Sequence, residues 1–358
     1  MPPRHSSEHP RNTALWLRRH GARFDIGPAP YTPPRPGEVV VRARAVGLNI
    51  IDSIPRVAYR AVLPWVRLPT VIGGDAAGEI VEVGAGVSRL RVGDRVVGHA
   101  LGLERSRNRA AEGAFQQYVV LMERMVSPIP DSLSFAQAAV LPLQLSTAAT
   151  GLFQPDTLDL ALPGVDAIER EETVLVWGGS TGVGSNAIQL ARGAGYRVVA
   201  TASPHNFGYV RSLGAAEVVD RRSPAAVGEL VAAIGEQPLA GSIAIGRHSL
   251  RRVMRVASLV PGTRRVVSSA TAPAAGLGSL VGRRGVRVRG IWGAALKDTP
   301  VGAAVYTRFL PAALASGRYA AAPPAEIVGS SLADIPQGLR RLREGISAKK
   351  LVVTLGLP

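Results

Sequence analysis

The chain has 358 residues, 46% of them hydrophobic and 19% charged, with a net charge of +16 at neutral pH. It is too long for one ordinary core and suits two domains, and its composition is that of a globular protein rather than a disordered one. It has no cysteine, which excludes disulfides, a thiolate nucleophile and any Cys-rich zinc site.

In chain order, residues Met1 to Asn12 are polar and contain proline. They lack the apolar middle of a signal peptide and read as a frayed tail on a cytoplasmic protein. No run approaches the roughly 18 apolar residues of a membrane span. Ala14 to Arg18 is expected as a short strand, followed by a Pro-rich turn from Pro28 to Pro36. Glu38 to Val46 alternates as a strand does. Residues 70–98 are strand-like and broken by glycine, as a small β-barrel-like domain would be. The character changes after Pro130: Asp131 to Ser134 reads as a helix start, and Phe135 to Phe153 as a helix. From Thr173 strands and helices alternate: Thr173 to Trp177, Val183 to Gly193, Arg197 to Ala202, Phe207 to Leu213 and Glu217 to Val219. Further strands are expected at Arg264 to Ser268 and Val286 to Ile291, then a closing strand at Lys350 to Thr354. This alternation predicts a parallel α/β sheet.

The positive charge is carried almost wholly by arginine. Its densest groups are Arg264-Arg265, Arg283-Arg284 with Arg287 and Arg289, and Arg340-Arg341 with Arg343. None is interleaved with aromatic residues as a nucleic-acid platform would be. The expected partner is therefore a small-molecule or carrier-bound substrate, with no nucleic acid and no membrane. The six histidines form no tight cluster with carboxylates, so no metal is expected.

The chemistry centres on Val174 to Gly184. A buried strand runs into Gly178-Gly179-Ser180-Thr181-Gly182-Val183-Gly184 and then a helix. Small residues let the backbone approach a pyrophosphate, and a helix start offers unpaired N–H groups. Thr181 stands where the usual dinucleotide fingerprint has its middle glycine. About twenty residues on, an NAD enzyme usually places an acid on the ribose 2′-hydroxyl. Here the second strand ends at Ala202 and continues Ser203-Pro204-His205-Asn206, with no carboxylate to repel a 2′-phosphate. Arg221 and Arg222 follow the third strand, where a guanidinium can reach that phosphate. The cofactor expected is NADPH, held by Gly179, Ser180, Thr181, Gly182, Val183, Gly184, Ser203, Asn206, Arg221 and Arg222.

With these residues on the page, the chain from Thr13 to Leu355 resembles the medium-chain dehydrogenase/reductase superfamily. It is most similar to the zinc-free quinone oxidoreductase and trans-acting enoyl reductase branch. The markers are Pro36-Gly37-Glu38-Val39, Gly47-Leu48-Asn49 with Asp52, Ile72-Gly73-Gly74-Asp75, Val92-Gly93-Asp94-Arg95, Gly113-Ala114-Phe115, Leu141-Pro142, the glycine loop and Lys349-Lys350-Leu351-Val352-Val353. The resemblance implies an α/β fold: a GroES-like β-rich catalytic domain (13–130 and 297–358, after a tail, 1–12) plus a Rossmann doubly wound parallel sheet (131–296). It implies a zinc-independent reductase of an activated C=C bond, with an NADPH:quinone oxidoreductase and a non-catalytic NADPH-binding module as alternatives. Zinc-dependent relatives carry Cys where this chain has Asn49 and His where it has Gly74. The expected catalytic residues are Tyr59, as proton donor or packing aromatic, and Asn49, as a holder of ribose or substrate or as a loop-capping amide. Asp52 is expected to satisfy local backbone donors, and His99 to be structural or functional. Relatives often pair through an edge strand, here Val286 to Ile291, so a homodimer is possible.

Overall fold

A computed structural model describes residues 10–55, 58–246, 248–269, 280–281 and 285–356. The first half runs β1 (Asn12–Leu17), β2 (Asp25–Ala29), β3 (Glu38–Gly47), a 3₁₀ turn (Ile50–Ser53), α1 (Tyr59–Val62), β4 (Thr70–Val71), β5 (Asp75–Val83), β6 (Arg95–His99), β7 (Tyr118–Met122), β8 (Val126–Pro128), α2 (Phe135–Ala138) and α3 (Pro142–Phe153). Next come β9 (Thr173–Trp177), α4 (Gly182–Gly193), β10 (Arg197–Ala202), α5 (Phe207–Ser212), β11 (Glu217–Asp220), α6 (Ala226–Ile234), β12 (Leu239–Ala244), α7 (Ser249–Ala257), β13 (Arg265–Ser268), β14 (Leu280–Val281) and β15 (Arg287–Gly290). The chain closes with α8 (Pro300–Ala303), a π-helical turn (Ala304–Phe309), α9 (Leu310–Ala315), β16 (Ala325–Gly329), α10 (Ile335–Glu344) and β17 (Lys350–Thr354).

Among the described residues two seven-stranded sheets organise the molecule, with a small sheet β2-β1-β4 beside them. One has the order β16-β17-β3-β5-β6-β8, with β7 also pairing β3, so both ends of the chain build it. The other has the order β11-β10-β9-β12-β13-β15-β14 and is parallel except for the antiparallel β14. The fold is the α/β class expected, a β-rich half plus a doubly wound parallel sheet.

Strand alternation has a particular meaning here. In β3, Val39, Val41, Ala43 and Val46 enter one core while Ala45 enters a second, and both faces are largely buried. In β10, Val198 and Ala200 face the core under α4 and α5, and Val199 faces the core under α6 and α7. A period of two thus sorts side chains between two dry layers rather than between core and water.

Some expectations are corrected. Asn12 belongs to β1 rather than to a frayed tail; its buried Nδ2 donates to Gln116 Oε1 at 3.0 Å. The helix expected from Phe135 to Phe153 is broken into α2 and α3, with Pro142 at the first position of α3, where its missing N–H costs nothing. The central β12 was not expected: Leu-Ala-Gly-Ser-Ile-Ala has few β-branched residues, yet all six are buried between β9 and β13. The strand expected at Val286 to Ile291 is β15, and it is not an edge, because β14 pairs with it at Val288 and Arg287. Arg283 and Arg284 lie outside the described residues. Several other clustered arginines pair with acids: Arg289 with Asp156 at 2.7 Å, Arg265 with Asp159 at 3.8 Å, and Arg341 with Glu326. Among the described residues no helix is long and apolar enough to cross a membrane.

Candidate active site

The glycine loop joins β9 to α4. Gly178 takes a φ of +91°, and its amide donates to Thr201 Oγ1 on β10 at 3.1 Å. Thr181 caps α4: its Oγ1 accepts from the Gly184 amide at 3.1 Å and donates to the Gly178 carbonyl at 2.7 Å. The residue in the middle-glycine position therefore locks the turn. A Cβ on Gly184 would lie 2.1 Å from the Gly178 carbonyl oxygen, so only glycine lets α4 sit this close to the loop. The Ser185 amide reaches the Thr181 carbonyl at 2.7 Å. The amides of Gly182 and Val183, at the first two positions of α4, are those a bound pyrophosphate would use.

Beyond β10, Ser203 and Asn206 are buried while His205 is exposed. Arg221 Nε donates to Ser203 Oγ at 3.0 Å, and Arg252 Nη1 donates to the Arg221 carbonyl at 2.8 Å. Arg221, rather than Arg222, reaches Ser203; the Arg222 amide turns to Asp220 Oδ1 at 2.9 Å. From the far end of the chain Ser347 joins this patch, accepting from Asn206 Nδ2 at 3.0 Å.

The second region lies across the ends of the β-rich sheet. Register aligns Val352, Gly47, Asp75 and His99 in one row across β17, β3, β5 and β6. Asp75 is fully buried. Its Oδ2 accepts from Asn49 Nδ2 at 2.9 Å and pairs with Lys350 Nζ at 2.8 Å, and its Oδ1 accepts from the Leu143 amide at 2.6 Å, in the first turn of α3. Lys350 is 1% exposed and also donates to Asn49 Oδ1. Each charge or amide is thus met by partners inside the protein, as burial demands. His99 Nδ1 contacts Ser146 Oγ at 2.9 Å, and Ser146 contacts Tyr306 Oη at 2.8 Å. Burial pushes His99 down to about 4, so it is neutral at pH 7.

Asp52 is buried beside this row. One carboxylate oxygen accepts the Asn49 amide at 2.9 Å, while Oδ1 has no partner. Burial, reinforced by nearby Asp75, raises it to about 7 against the pull of the Asn49 backbone bond.

The two expected catalytic residues end up inward. Tyr59 is 1% exposed in the core, with its hydroxyl 3.4 Å from the Ile51 carbonyl; burial raises its phenol far above the usual range. This geometry fits the packing aromatic. Asn49 has its carbonyl oxygen and one N–H engaged by Lys350 and Asp75. Between them the chain comes to the surface at Ile50, 67% exposed. Sequence reasoning missed Lys350 as a neighbour of Asn49, as well as the placements of Gln144 and Ser347. The pair Lys349-Lys350 in the closing motif was the available signal for the first.

Residues 35–131 match the Alcohol dehydrogenase GroES-like domain. "Dehydrogenase azaJ" of Aspergillus niger is 41% identical over 353 residues, covering 97% of this chain and 99% of that protein. The chain belongs to the medium-chain dehydrogenase/reductase superfamily. "Trans-enoyl reductase himH" of Aspergillus japonicus is 35% identical over 350 residues, 96% of this chain and 97% of that protein. The crystal structure of an alcohol dehydrogenase superfamily protein from Novosphingobium aromaticivorans superposes with a TM-score of 0.73 at 25% identity, covering 96% of this chain and all of that one.

As a medium-chain reductase the protein works with a nicotinamide cofactor, and the loop fits one. Gln144 Oε1 is buried without a partner, and a Cβ on Gly182 would lie 1.6 Å from it. An orphaned acceptor over a side-chain-free helix start is a cradle that a dinucleotide's donors and pyrophosphate would complete. Among the described residues no three His, Cys, Asp or Glu side chains come together as a metal-binding group.

Proposed function

We propose that this chain is a zinc-independent, NADPH-dependent reductase of activated C=C bonds. The observation that carries the cofactor half is the Ser203–Arg221 pair beyond β10, with Asn206 beside it and no acid at the end of that strand. A hydroxyl, a guanidinium and an amide all donate, as a 2′-phosphate requires and a 2′-hydroxyl does not. The likeness to a trans-enoyl reductase over nearly the whole chain supports the acceptor half.

Bound NADPH would supply a hydride from its nicotinamide C4. The protein's share is placement. Gly182 and Val183 hold the pyrophosphate, Thr181 fixes their helix start, and Ser203, Asn206 and Arg221 hold the 2′-phosphate. Exposed Ile50, next to Asn49 in the chain, gives an apolar acceptor a surface to lie on. Zinc is dispensed with because Asn49 and Gly74 stand where zinc-dependent relatives carry ligands, and the Asn49 amide is already taken by Asp75 and Lys350. The acceptor is a small-molecule or carrier-bound enone or enoyl thioester.

The inward placement of Tyr59 and Asn49 favours a second reading, a non-catalytic NADPH-binding module. One assay separates the two. A panel of 2-enoyl thioesters, enals and quinones is followed by loss of reduced-cofactor absorbance with NADPH and with NADH. Enoyl or enone turnover with NADPH is the expected result. Turnover with quinones alone would replace the acceptor, a preference for NADH would overturn the cofactor, and tight NADPH binding without turnover would leave the binding module.

A further inference from the structure

We infer that Ser347 is a specificity residue for the 2′-phosphate, so that both halves of the chain read the cofactor. This rests on the NADPH reading above and extends it to a residue outside the Rossmann sheet. The motif from Ser203 to Arg222 accounts for one side of the patch only. Ser347 closes the other side, 141 residues away in sequence from Asn206.

Three observations support the assignment. First, Ser347 Oγ accepts a hydrogen bond from the buried Asn206 Nδ2 at 3.0 Å. That bond uses a lone pair and leaves the serine O–H free to donate. Second, the other neighbour of Ser347 Oγ is His205 Nε2 at 3.3 Å, on an exposed ring. A long, solvent-facing contact is readily exchanged, whereas a phosphate oxygen offers the same O–H a charged acceptor. Third, Ser347 is presented by a short turn between α10 and β17. Gly345 and Ala348 adopt φ of +101° and +48°, and three residues on Lys350 is locked in the buried row with Asp75. The turn therefore has a fixed root and an exposed tip, and the tip meets the residues that hold the 2′-phosphate. The Arg221–Ser203 pair and the Asn206–Ser347 pair thus supply donors from both halves of the chain.

The chemistry predicts a selective effect. A dinucleotide lacking the 2′-phosphate offers Ser347 nothing that His205 does not. Removing the hydroxyl should therefore weaken 2′-phosphorylated ligands alone, and a carboxylate at this position should repel them.

The test is calorimetric titration of the full chain with 2′,5′-ADP and with 5′-ADP, using wild type, Ser347→Ala, Ser347→Asp and Arg221→Ala. Ser347 is exposed, so these substitutions leave the fold intact, which thermal melts will verify. Ser347→Ala should weaken 2′,5′-ADP by about 5- to 20-fold, the scale of one hydrogen bond to a charged group, with 5′-ADP changed by less than about twofold. Ser347→Asp should weaken 2′,5′-ADP by roughly 100-fold with the same indifference to 5′-ADP. If wild type prefers 2′,5′-ADP and loses that preference in Arg221→Ala but keeps it in Ser347→Ala, the assignment of Ser347 is overturned and the NADPH reading stands. Equal weakening of both ligands by Ser347→Ala also overturns it, since that is the mark of a domain latch. If wild type shows no preference for 2′,5′-ADP, the NADPH reading itself falls.

Discussion

The two polar regions of this molecule are built on opposite terms. The glycine loop and the patch beyond β10 form an outward region: the amides at the start of α4, the Arg221 guanidinium, the Asn206 side-chain amide and the Ser203 hydroxyl stand beside exposed Thr181, His205 and Ser347. The row at the ends of β3, β5 and β17 turns its groups on one another, so that Asp75, Lys350 and Asn49 are nearly sealed from water. Binding a large anionic cofactor calls for the first arrangement. Holding two distant ends of a chain in one sheet is served by the second. The same residue types, amides and charges, thus stand beside exposed residues in one region and in a row sealed from water in the other.

The sharpest way to break this contrast is at Lys350. Lys350→Met leaves the Asp75 carboxylate buried without its cation, and urea denaturation should show a loss of about 3–5 kcal/mol. Adding Asp75→Asn should recover part of it, because the uncompensated charge is then gone. A loss below about 1 kcal/mol would mean that the row is not held by charge. Next comes Gly184→Ala in the outward region, where a Cβ would meet the Gly178 carbonyl at 2.1 Å. Melts should show destabilisation of about 1–3 kcal/mol from overpacking, and NADPH titration a dissociation constant raised at least tenfold.

A third prediction concerns pH. Asp52 sits at about 7 in the folded protein against 3.8 for the free side chain. Between these values the unfolded chain releases a proton that the native one keeps. The stabilising term is therefore whole below about pH 4 and is lost as pH rises through 7, on the order of 2–4 kcal/mol. Asp52→Asn should flatten that part of the stability profile, raising denaturation midpoints at pH 8 while leaving those at pH 4 nearly unchanged. The smallest effect is expected at Tyr59. Its hydroxyl makes one long bond, so Tyr59→Phe should shift stability by about 0.5 kcal/mol or less and leave the rate with any accepted substrate within about twofold. A rate falling far beyond that would restore Tyr59 as the proton donor.

The outward region was largely legible in the sequence because its structure lies in local order: a strand, a run of small residues, a helix start and a second strand without an acid. Gly178 to Gly184 and Ser203 to Asn206 could be found for that reason. The inward region was legible only in pieces. Asn49, Asp75 and Lys350 each stood inside a short motif, but nothing local says that three such distant residues share one point. Nor does sequence say that Lys349 is exposed while its neighbour Lys350 is buried. Tyr59 was left between two roles for a related reason: a one-turn helix gives no periodicity from which to read its inner face. Strand β12 escaped because alanine, glycine and serine carry little strand preference and were placed by their neighbours. Ser347 escaped because its partners come from the other half of the chain.

The bond from Lys350 to Asn49 spans 301 residues of sequence. At a synthesis rate of about 5–20 residues per second, Asn49 and Asp75 leave the ribosome some 15–60 s before their lysine does. During that interval β3 lacks its neighbour β17 and Asp75 lacks its cation. The β-rich half is therefore the last to be completed, although it is the first to be made. A chain cut short before Lys350 would carry the whole glycine loop and still be unfinished at the residue where its synthesis began to matter, Asp75.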